Sequence, residues 1–325
     1  GVATRISPTA DLTMRGADFL VRGRAGELTT VNVGTVTVDA GTNLFQSIAG
    51  GGGANETIVG NLVRNPGTFV GFQQNNGFMG TSGNDSTAIR YLLTNLNGAP
   101  VSLTNNIIGG WAIANNDHFA TYDPVLGVSY LSNTEDGFAN YDSTDITTAG
   151  PTDNVNDGNS RTITASKTIN SLRHRADGGA RTFTLNSGVQ LTIASGGILT
   201  NNNNQATTFA GTAASITSGT SELYLWGQNN TTTFNTKITG NISVLEGGSG
   251  TIKFQGPGND YTGTTYALGG SSGGSGRSGA FQLDVTGANG PSVVAGPGDL
   301  WVGHPPVTDL RAKPPHGTAT INSQS

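Results

Sequence analysis

The side chains that could perform chemistry or hold a metal ion are concentrated in residues 91–160. This stretch contains eight of the chain's 21 acidic residues and neither lysine nor arginine. Within it, Asp153 and Asp157 belong to the segment Asp153–Asn159, whose aspartates and glycine resemble a calcium-binding loop. Val155 stands where such a loop needs a side-chain oxygen, and the distal glutamate is missing, so an ordinary turn also explains the segment. Calcium held by Asp153 and Asp157 is the one cofactor that the sequence suggests.

Aromatic residues in the same stretch do not follow the strand pattern of the rest of the chain. Trp111, Tyr122, Tyr130 and Tyr141 are candidates for a ligand-binding surface, because aromatic rings can stack on the apolar faces of sugars. The alternative is that these four side chains only cover an irregular face of the fold. A surface glycan is therefore one candidate partner.

Residues suited to catalysis are sparse. Asp142 with Asp145, or Glu135 with Asp136, could supply the paired carboxylates of a glycoside hydrolase or a polysaccharide lyase. The stretch lacks a basic residue that would neutralise a uronate substrate. The string Gly270–Gly274 fits the Gly-x-Ser-x-Gly nucleophile elbow, but a Gly/Ser-rich segment matches that motif by chance. We predict no catalytic residues and no enzyme, and a carbohydrate-active β-helix enzyme is the alternative.

The elements that must position these residues are short strands separated by turn-forming residues. The chain has 50 glycines in 325 residues and only 11% charged residues. Period-two strands, each followed closely by a turn, are typical of residues 31–38, 181–185, 190–193 and 222–226. The pattern predicts an all-β fold, a β-solenoid, with about 22 residues per coil.

The alternation of apolar and polar residues also predicts which side chains face the core. Phe183, Leu185, Leu223 and Leu225 are expected to point inward, whereas Tyr224 is expected to point outward.

The domain organisation follows from the same reading. A single β-helix is predicted over residues 1–303, with an acidic, aromatic-containing excursion at about 91–160 and a Gly/Ser loop at 269–279. Residues 304–325 contain several prolines, which cannot donate hydrogen bonds to a strand ladder, and are predicted to form an extended tail or linker.

Bulk properties exclude several classes of partner. The net charge is −5, and the 16 lysines and arginines form no cluster that would bind phosphates, so we predict no nucleic-acid partner. No apolar run approaches the roughly 18 residues of a membrane-spanning helix, so no membrane-spanning segment is predicted. The chain has no cysteine, which removes disulfides and thiolate chemistry and fits many exported proteins, although it also fits some cytoplasmic ones.

Segments spread along the chain carry a resemblance to a known family. Gly250–Thr265 combines a glycine, a short strand, a second glycine and the element Asn-x-Tyr-Thr-Gly, and the segments 107–123, 161–172 and 191–199 agree with it in their order. The sequence resembles the autotransporter-associated β-strand repeat proteins, very large exported bacterial proteins related to autotransporter passenger domains. The match covers about residues 10–290, and Lys253 departs from the usual aliphatic or small residue.

This resemblance implies a right-handed parallel β-helix at the cell surface, without catalytic residues to carry over. The predicted function is that of a secreted or cell-surface structural or adhesive protein. Because the ends of a solenoid expose strand edges, end-to-end self-association into extracellular filaments is a further prediction.

Overall fold

The computed structural model describes residues 6–81, 87–201, 205–256, 258–269, 280–284, 299–302 and 318–322. The chain divides into two compact units, unit 1 (residues 1–140) and unit 2 (residues 141–325), which are described separately. Within the described residues the regular elements are β-strands and one 3-10 helix, Thr134–Asp136. The all-β prediction is confirmed. The single β-helix over residues 1–303 stays a prediction, and residues 270–279 lie outside the described part.

Unit 1 contains ten strands among its described residues. They are β1 (Leu12–Arg15), β2 (Asp18–Arg22), β3 (Leu28–Ile48), β4 (Ala54–Arg64), β5 (Thr68–Asn75), β6 (Phe78–Met79), β7 (Ala88–Leu96), β8 (Ala112–Ala114), β9 (His118–Asp123) and β10 (Gly127–Tyr130).

The strands of unit 1 form two parallel ladders that share the long strand β3. One ladder runs β1-β3-β4-β7, and the other runs β2-β3-β5-β8, with the two halves of β3 serving different ladders. Successive coils thus place one strand in each ladder, as a solenoid does. The chain then reverses direction, because β9 pairs antiparallel with β8 and β10 pairs antiparallel with β9.

The interior of unit 1 repeats the same side chain at the same register. Phe19 lies opposite Phe45, and Phe45 lies opposite Phe72. Their ring centroids are 6.0 and 5.4 Å apart. Tyr91 closes this stack and donates its hydroxyl to the Gln73 carbonyl at 2.6 Å, which satisfies a buried polar group.

Unit 2 contains sixteen described strands. They are β11 (Asn154–Asn156), β12 (Arg161–Ile163), β13 (Lys167–Ile169), β14 (Ser171–Arg175), β15 (Arg181–Leu185), β16 (Gln190–Ile193), β17 (Gly197–Asn201), β18 (Thr207–Ser218), β19 (Glu222–Gln228), β20 (Thr231–Ile238), β21 (Ser243–Gly248), β22 (Thr251–Phe254), β23 (Thr265–Ala267), β24 (Ala280–Asp284), β25 (Leu300–Val302) and β26 (Thr318–Asn322).

Two long parallel ladders organise unit 2. The first runs β11-β14-β17-β19-β21-β23-β25, and the second runs β12-β15-β18-β20-β22-β24-β26, with β13 and β16 beside it. β26 falls in the region predicted to be a Pro-rich tail. Phe183, Phe209, Phe234 and Phe254 are consecutive register partners, at spacings of 26, 25 and 20 residues. The coil length of about 22 residues predicted from the sequence lies within this range. Because each coil adds one strand to each ladder, unit 2 is solenoid-like.

The core side chains of unit 2 follow the predicted alternation with one correction. Phe183, Leu185, Leu223 and Leu225 are all buried, as expected. Tyr224 was expected to face outward, but it is only 4% exposed, and its hydroxyl donates to the Glu222 carboxylate at 2.8 Å. Every residue of β19 is buried, so both of its faces are covered, and alternation does not predict exposure for such a strand.

Candidate functional site

Asp157, one of the two predicted calcium ligands, is fully buried and already engaged by the protein. Its Oδ2 accepts hydrogen bonds from the Arg161 Nε at 2.8 Å and from the Ile146 backbone N–H at 3.0 Å. Its Oδ1 accepts the Asn159 backbone N–H at 3.0 Å. The hydrogen bond that Arg161 donates to Asp157 also raises the pKa of Arg161, which keeps that guanidinium charged. Asp157 therefore joins Ile146 to the segment from Asn159 to Arg161 at the start of unit 2.

The other predicted calcium ligand, Asp153, forms a local turn. Its Oδ2 accepts the Gly150 backbone N–H at 2.9 Å. Among the described residues, no group of three or more histidines, cysteines, aspartates or glutamates is arranged to hold a metal ion. The calcium site at Asp153 and Asp157 stays a prediction.

The acidic charge of residues 91–160 is partly compensated by cations from later strands. Asp145 Oδ2 lies 3.0 Å from Arg161 Nη1, and its Oδ1 accepts the Thr147 hydroxyl at 2.7 Å. The hydrogen bonds from Thr147, assisted by the charge of Arg161, lower the pKa of Asp145. Lys167 also lies here and donates to the Thr147 carbonyl at 2.9 Å. This compensating positive charge could not be seen within residues 91–160, because Arg161 lies just after that stretch.

Replacing Asp157 by asparagine is expected to destabilise unit 2 by about 1–3 kcal/mol, because a buried set of hydrogen bonds loses its charged acceptor. Asp177→Asn is the matched control, since the pair that Asp177 forms with Arg175 is exposed. Thermal unfolding followed by circular dichroism, with and without millimolar calcium, measures both effects. A calcium-dependent rise in the melting temperature that only Asp157→Asn removes would restore the metal-site interpretation.

The four aromatic residues predicted to bind a ligand do not form one surface within either unit. Trp111, Tyr122 and Tyr130 belong to unit 1, and Tyr141 belongs to unit 2. Trp111 is only 9% exposed, and the Arg64 guanidinium lies 5.2 Å from the centre of its ring. Little of the indole is left to stack on a sugar.

Tyr130 and Tyr141 already have partners on their rings. The Tyr130 ring lies 5.1 Å from the ring of His118. The Arg173 guanidinium lies 5.9 Å from the centre of the Tyr141 ring, within the range of a cation–π contact. Tyr122, the remaining predicted residue, lines a pocket.

The pocket beside Tyr122 has a volume of about 340 Å³. Tyr122, Leu126 and Phe138 provide apolar walls, while Asp123 and Asp136 provide carboxylates. The sequence drew attention to Tyr122 and Asp136 separately. It could not place Leu126 and Phe138 beside them, because the contact depends on how β9, β10 and the 3-10 helix pack.

Local hydrogen bonds hold the pocket walls in place. Asp123 Oδ1 accepts the backbone N–H groups of Val125 and Leu126, at 2.8 and 2.9 Å, which fixes the turn between β9 and β10. The 3-10 helix is capped by Gly137, whose φ of 82° is readily adopted by glycine. The following residue, Phe138, is buried, so its ring is anchored in the unit.

The Tyr122 hydroxyl is committed to the backbone. It donates to the Leu93 carbonyl at 2.8 Å and accepts the Leu93 N–H at 3.3 Å. Burial raises the pKa of Tyr122, and the hydrogen bond from Leu93 only partly opposes that effect. The phenol therefore stays protonated, which suits a wall of the pocket better than an acid–base group.

The carboxylate pairs considered for catalysis are placed as follows. Asp142 Oδ2 accepts the Asn154 backbone N–H at 2.8 Å and its side-chain amide at 3.2 Å, so it supports β11. Asp145 is held by Thr147 and Arg161, as described above. The Glu135 side chain and the Gly270–Gly274 string lie outside the described residues.

One buried carboxyl was not singled out by the sequence. Glu246 of β21 is 1% exposed and lies between Leu225 and Ala267 in the first ladder of unit 2. Its Oε1 has no hydrogen-bond partner among the described residues. Burial raises the pKa of Glu246 to about 8, and a backbone hydrogen bond from Gly269 offsets this only in part. The charge of Glu246 therefore depends on pH near neutrality.

Comparisons with protein-family models, with curated proteins and with solved structures find no match to this chain. Within the described residues, no helix combines the length and the apolar character required to cross a membrane.

Proposed function

We propose that the chain is an exported bacterial surface protein with a structural or adhesive role and no catalytic activity. In this proposal its coils wind as a right-handed parallel β-helix of the autotransporter-associated β-strand repeat type. The observation that carries the proposal is the pair of parallel ladders in unit 2, each seven described strands deep, with four phenylalanines in register on successive strands of the second ladder. Right-handed crossovers are the strong preference for parallel strands of one sheet, which supports the handedness.

The state of the carboxylates supports a non-catalytic role. Three aspartates accept backbone and side-chain hydrogen bonds that stabilise the start of unit 2. They are Asp142, Asp145 and Asp157. The lowered pKa of Asp145 makes it a poor general acid, which a glycosidase would need.

The terminal strands of the described ladders support the proposal of end-to-end association. Among the described residues, β1 and β2 each pair with β3 alone. Phe19 of β2 is half-buried and ends the phenylalanine stack of unit 1, so a further aromatic ring could extend that stack. In unit 2, β25 and β26 likewise each have one described neighbour. If β1 and β2 of one copy met β25 and β26 of the next copy, the contact would be heterologous. Repeating that contact would generate filaments.

At high protein concentration the chain is expected to form fibres in negative-stain electron microscopy, and Phe19→Lys is expected to abolish them. The lysine would place an unpaired charge at the end of the stack. Leu20→Lys is the matched control, because the neighbouring Leu20 is 41% exposed. Wild-type protein that stays monomeric in light scattering, or fibres that survive Phe19→Lys, would contradict this part of the proposal.

Incubation with neutral and uronate-containing polysaccharides is expected to release no product, as measured by reducing ends and by the absorbance of unsaturated uronates. Release of either product by the purified chain would contradict the non-catalytic role and favour the enzyme.

A further inference from the structure

The pocket of unit 1 has the size of a small-ligand site. Its volume of about 340 Å³ falls at the lower end of the roughly 300–1000 Å³ typical of such sites. The space is sufficient for one sugar unit with the start of the next. Its walls are held by the Asp123 turn, by the end of the 3-10 helix and by the anchored Tyr122, so the pocket is preformed.

The lining combines apolar surface with hydrogen-bond acceptors. Tyr122 and Leu126, which are both half-buried, present apolar surface that suits the C–H faces of a pyranose ring. Asp123 and Asp136 bring carboxylates, which accept hydrogen bonds and cannot donate them when ionised. Asp123 Oδ1 already accepts the two N–H groups of its turn, which leaves Oδ2 as the second acceptor oxygen of this carboxylate.

The charge of the lining selects among sugars. None of the ten described residues that line the pocket is lysine, arginine or histidine. Bringing a uronate, a sulfate or a phosphate beside two carboxylates would place like charges together without a compensating cation. A ligand rich in hydroxyl donors, or one carrying an ammonium group, matches the acceptors.

We propose that this pocket binds one neutral or amino-bearing pyranose unit of a glycan, and that it rejects acidic sugars. The inference rests on the proposed adhesive role and names the ligand class of that role. Asp123 Oδ2 and Asp136 accept hydrogen bonds from the sugar's hydroxyl or ammonium groups. Tyr122 and Leu126 contact the apolar part of the ring. Asn106, at the rim, offers an amide that can both donate and accept.

The test is titration of the full chain with three tetrasaccharide probes, followed by saturation-transfer NMR. The probes are a neutral gluco-oligosaccharide, a glucosamine oligosaccharide and a galacturonate oligosaccharide. At least one of the first two is expected to bind, and the galacturonate probe is expected not to bind. Tighter binding of the glucosamine probe would show that the carboxylates accept hydrogen bonds from an ammonium group. Tighter binding of the neutral probe would show that hydroxyl groups are the donors.

Asp136→Asn is expected to weaken binding by about 10-fold, because a hydrogen bond to a charged group is replaced by a neutral one. Glu27→Gln is the matched control. It removes the same charge from unit 1, and the Glu27 carboxylate forms an exposed pair with Arg24. Asn106→Gly is a second variant that removes a lining amide and retains the backbone, since Asn106 has a φ of 65° that glycine adopts readily. It is expected to weaken binding without changing the melting temperature.

Three results would overturn the inference. These are binding of none of the probes, binding of galacturonate as strong as that of the neutral probe, or equal affinities in Asp136→Asn and Glu27→Gln. Fibre formation and product release are measured separately. Fibres without sugar binding would overturn the ligand assignment alone, whereas released sugar products would overturn the proposed function itself.

Discussion

Raising the pH from about 5 to about 9 is expected to lower the free energy of unfolding of unit 2 by on the order of 4 kcal/mol through Glu246. The cause is the burial of this carboxyl between Leu225 and Ala267, with Oε1 unpartnered among the described residues. Its ionised form is therefore costly in the folded state, and the pKa rises from 4.5 to about 8.

The direction follows from the protons bound in each state. Below pH 4.5, Glu246 is protonated in both the folded and the unfolded chain, and the folded state keeps its full stability. Between pH 4.5 and about 8 the unfolded chain has lost this proton while the folded chain keeps it, so the free energy of unfolding falls with rising pH. Above about pH 8 the loss is complete.

The effect of Glu246 is isolated by comparing variants across this pH range. His174 acts in the opposite direction, because burial lowers its pKa and stability is lost as the pH falls below the usual value of 6.5. Urea unfolding of the wild type and of Glu246→Gln at several pH values removes this contribution, since His174 is common to both proteins. The difference between the two is expected to grow with pH until about pH 8.

Glu222→Gln is the matched control for Glu246→Gln. Glu222 is also a buried glutamate of the first ladder, but its carboxylate accepts the Tyr224 hydroxyl. Its substitution is expected to leave the alkaline loss of stability in place. A Glu246→Gln protein that loses stability between pH 5 and 9 as steeply as the wild type would show that Glu246 is not the responsible group.

Short strands with one covered face could be predicted well from the sequence. The predicted ranges 181–185 and 190–193 coincide with β15 and β16, because turn residues end each strand and one face is apolar. The range 31–38 was too short, since β3 continues to Ile48 and joins a second ladder. Local periodicity does not reveal that one strand serves two ladders, because this depends on partners more than twenty residues away.

The candidate site was less predictable, because distant segments build it. Tyr122 could be selected as an aromatic residue out of rhythm, but its position beside Phe138 depends on the antiparallel pairing of β9 and β10. The same limit applies to Glu246. The sequence Ser243–Gly248 gives no sign that both faces of β21 are covered, so a glutamate there resembles an ordinary outward residue.

Truncating the middle of the phenylalanine stack is expected to be the most damaging single deletion of apolar surface in unit 2. Phe209 is fully buried, and its ring lies 5.2 Å from Phe183 and 4.8 Å from Phe234. Phe209→Ala removes both ring contacts and leaves a cavity, because the strands on either side are held by the ladder and cannot close it. The expected cost is about 3–5 kcal/mol.

Thr208→Ala provides the control for Phe209→Ala on the same strand. Thr208 precedes Phe209 in β18 and is half-exposed, so its truncation is expected to change the free energy of unfolding by less than about 0.5 kcal/mol. Phe209→Leu keeps most of the volume and is expected to fall between the two, which preserves the comparison if Phe209→Ala does not fold. Chemical unfolding followed by circular dichroism gives the three values. Equal losses for Phe209→Ala and Thr208→Ala would mean that the phenylalanine stack does not stabilise the ladders, and stacking between coils would then have to rest on backbone pairing alone.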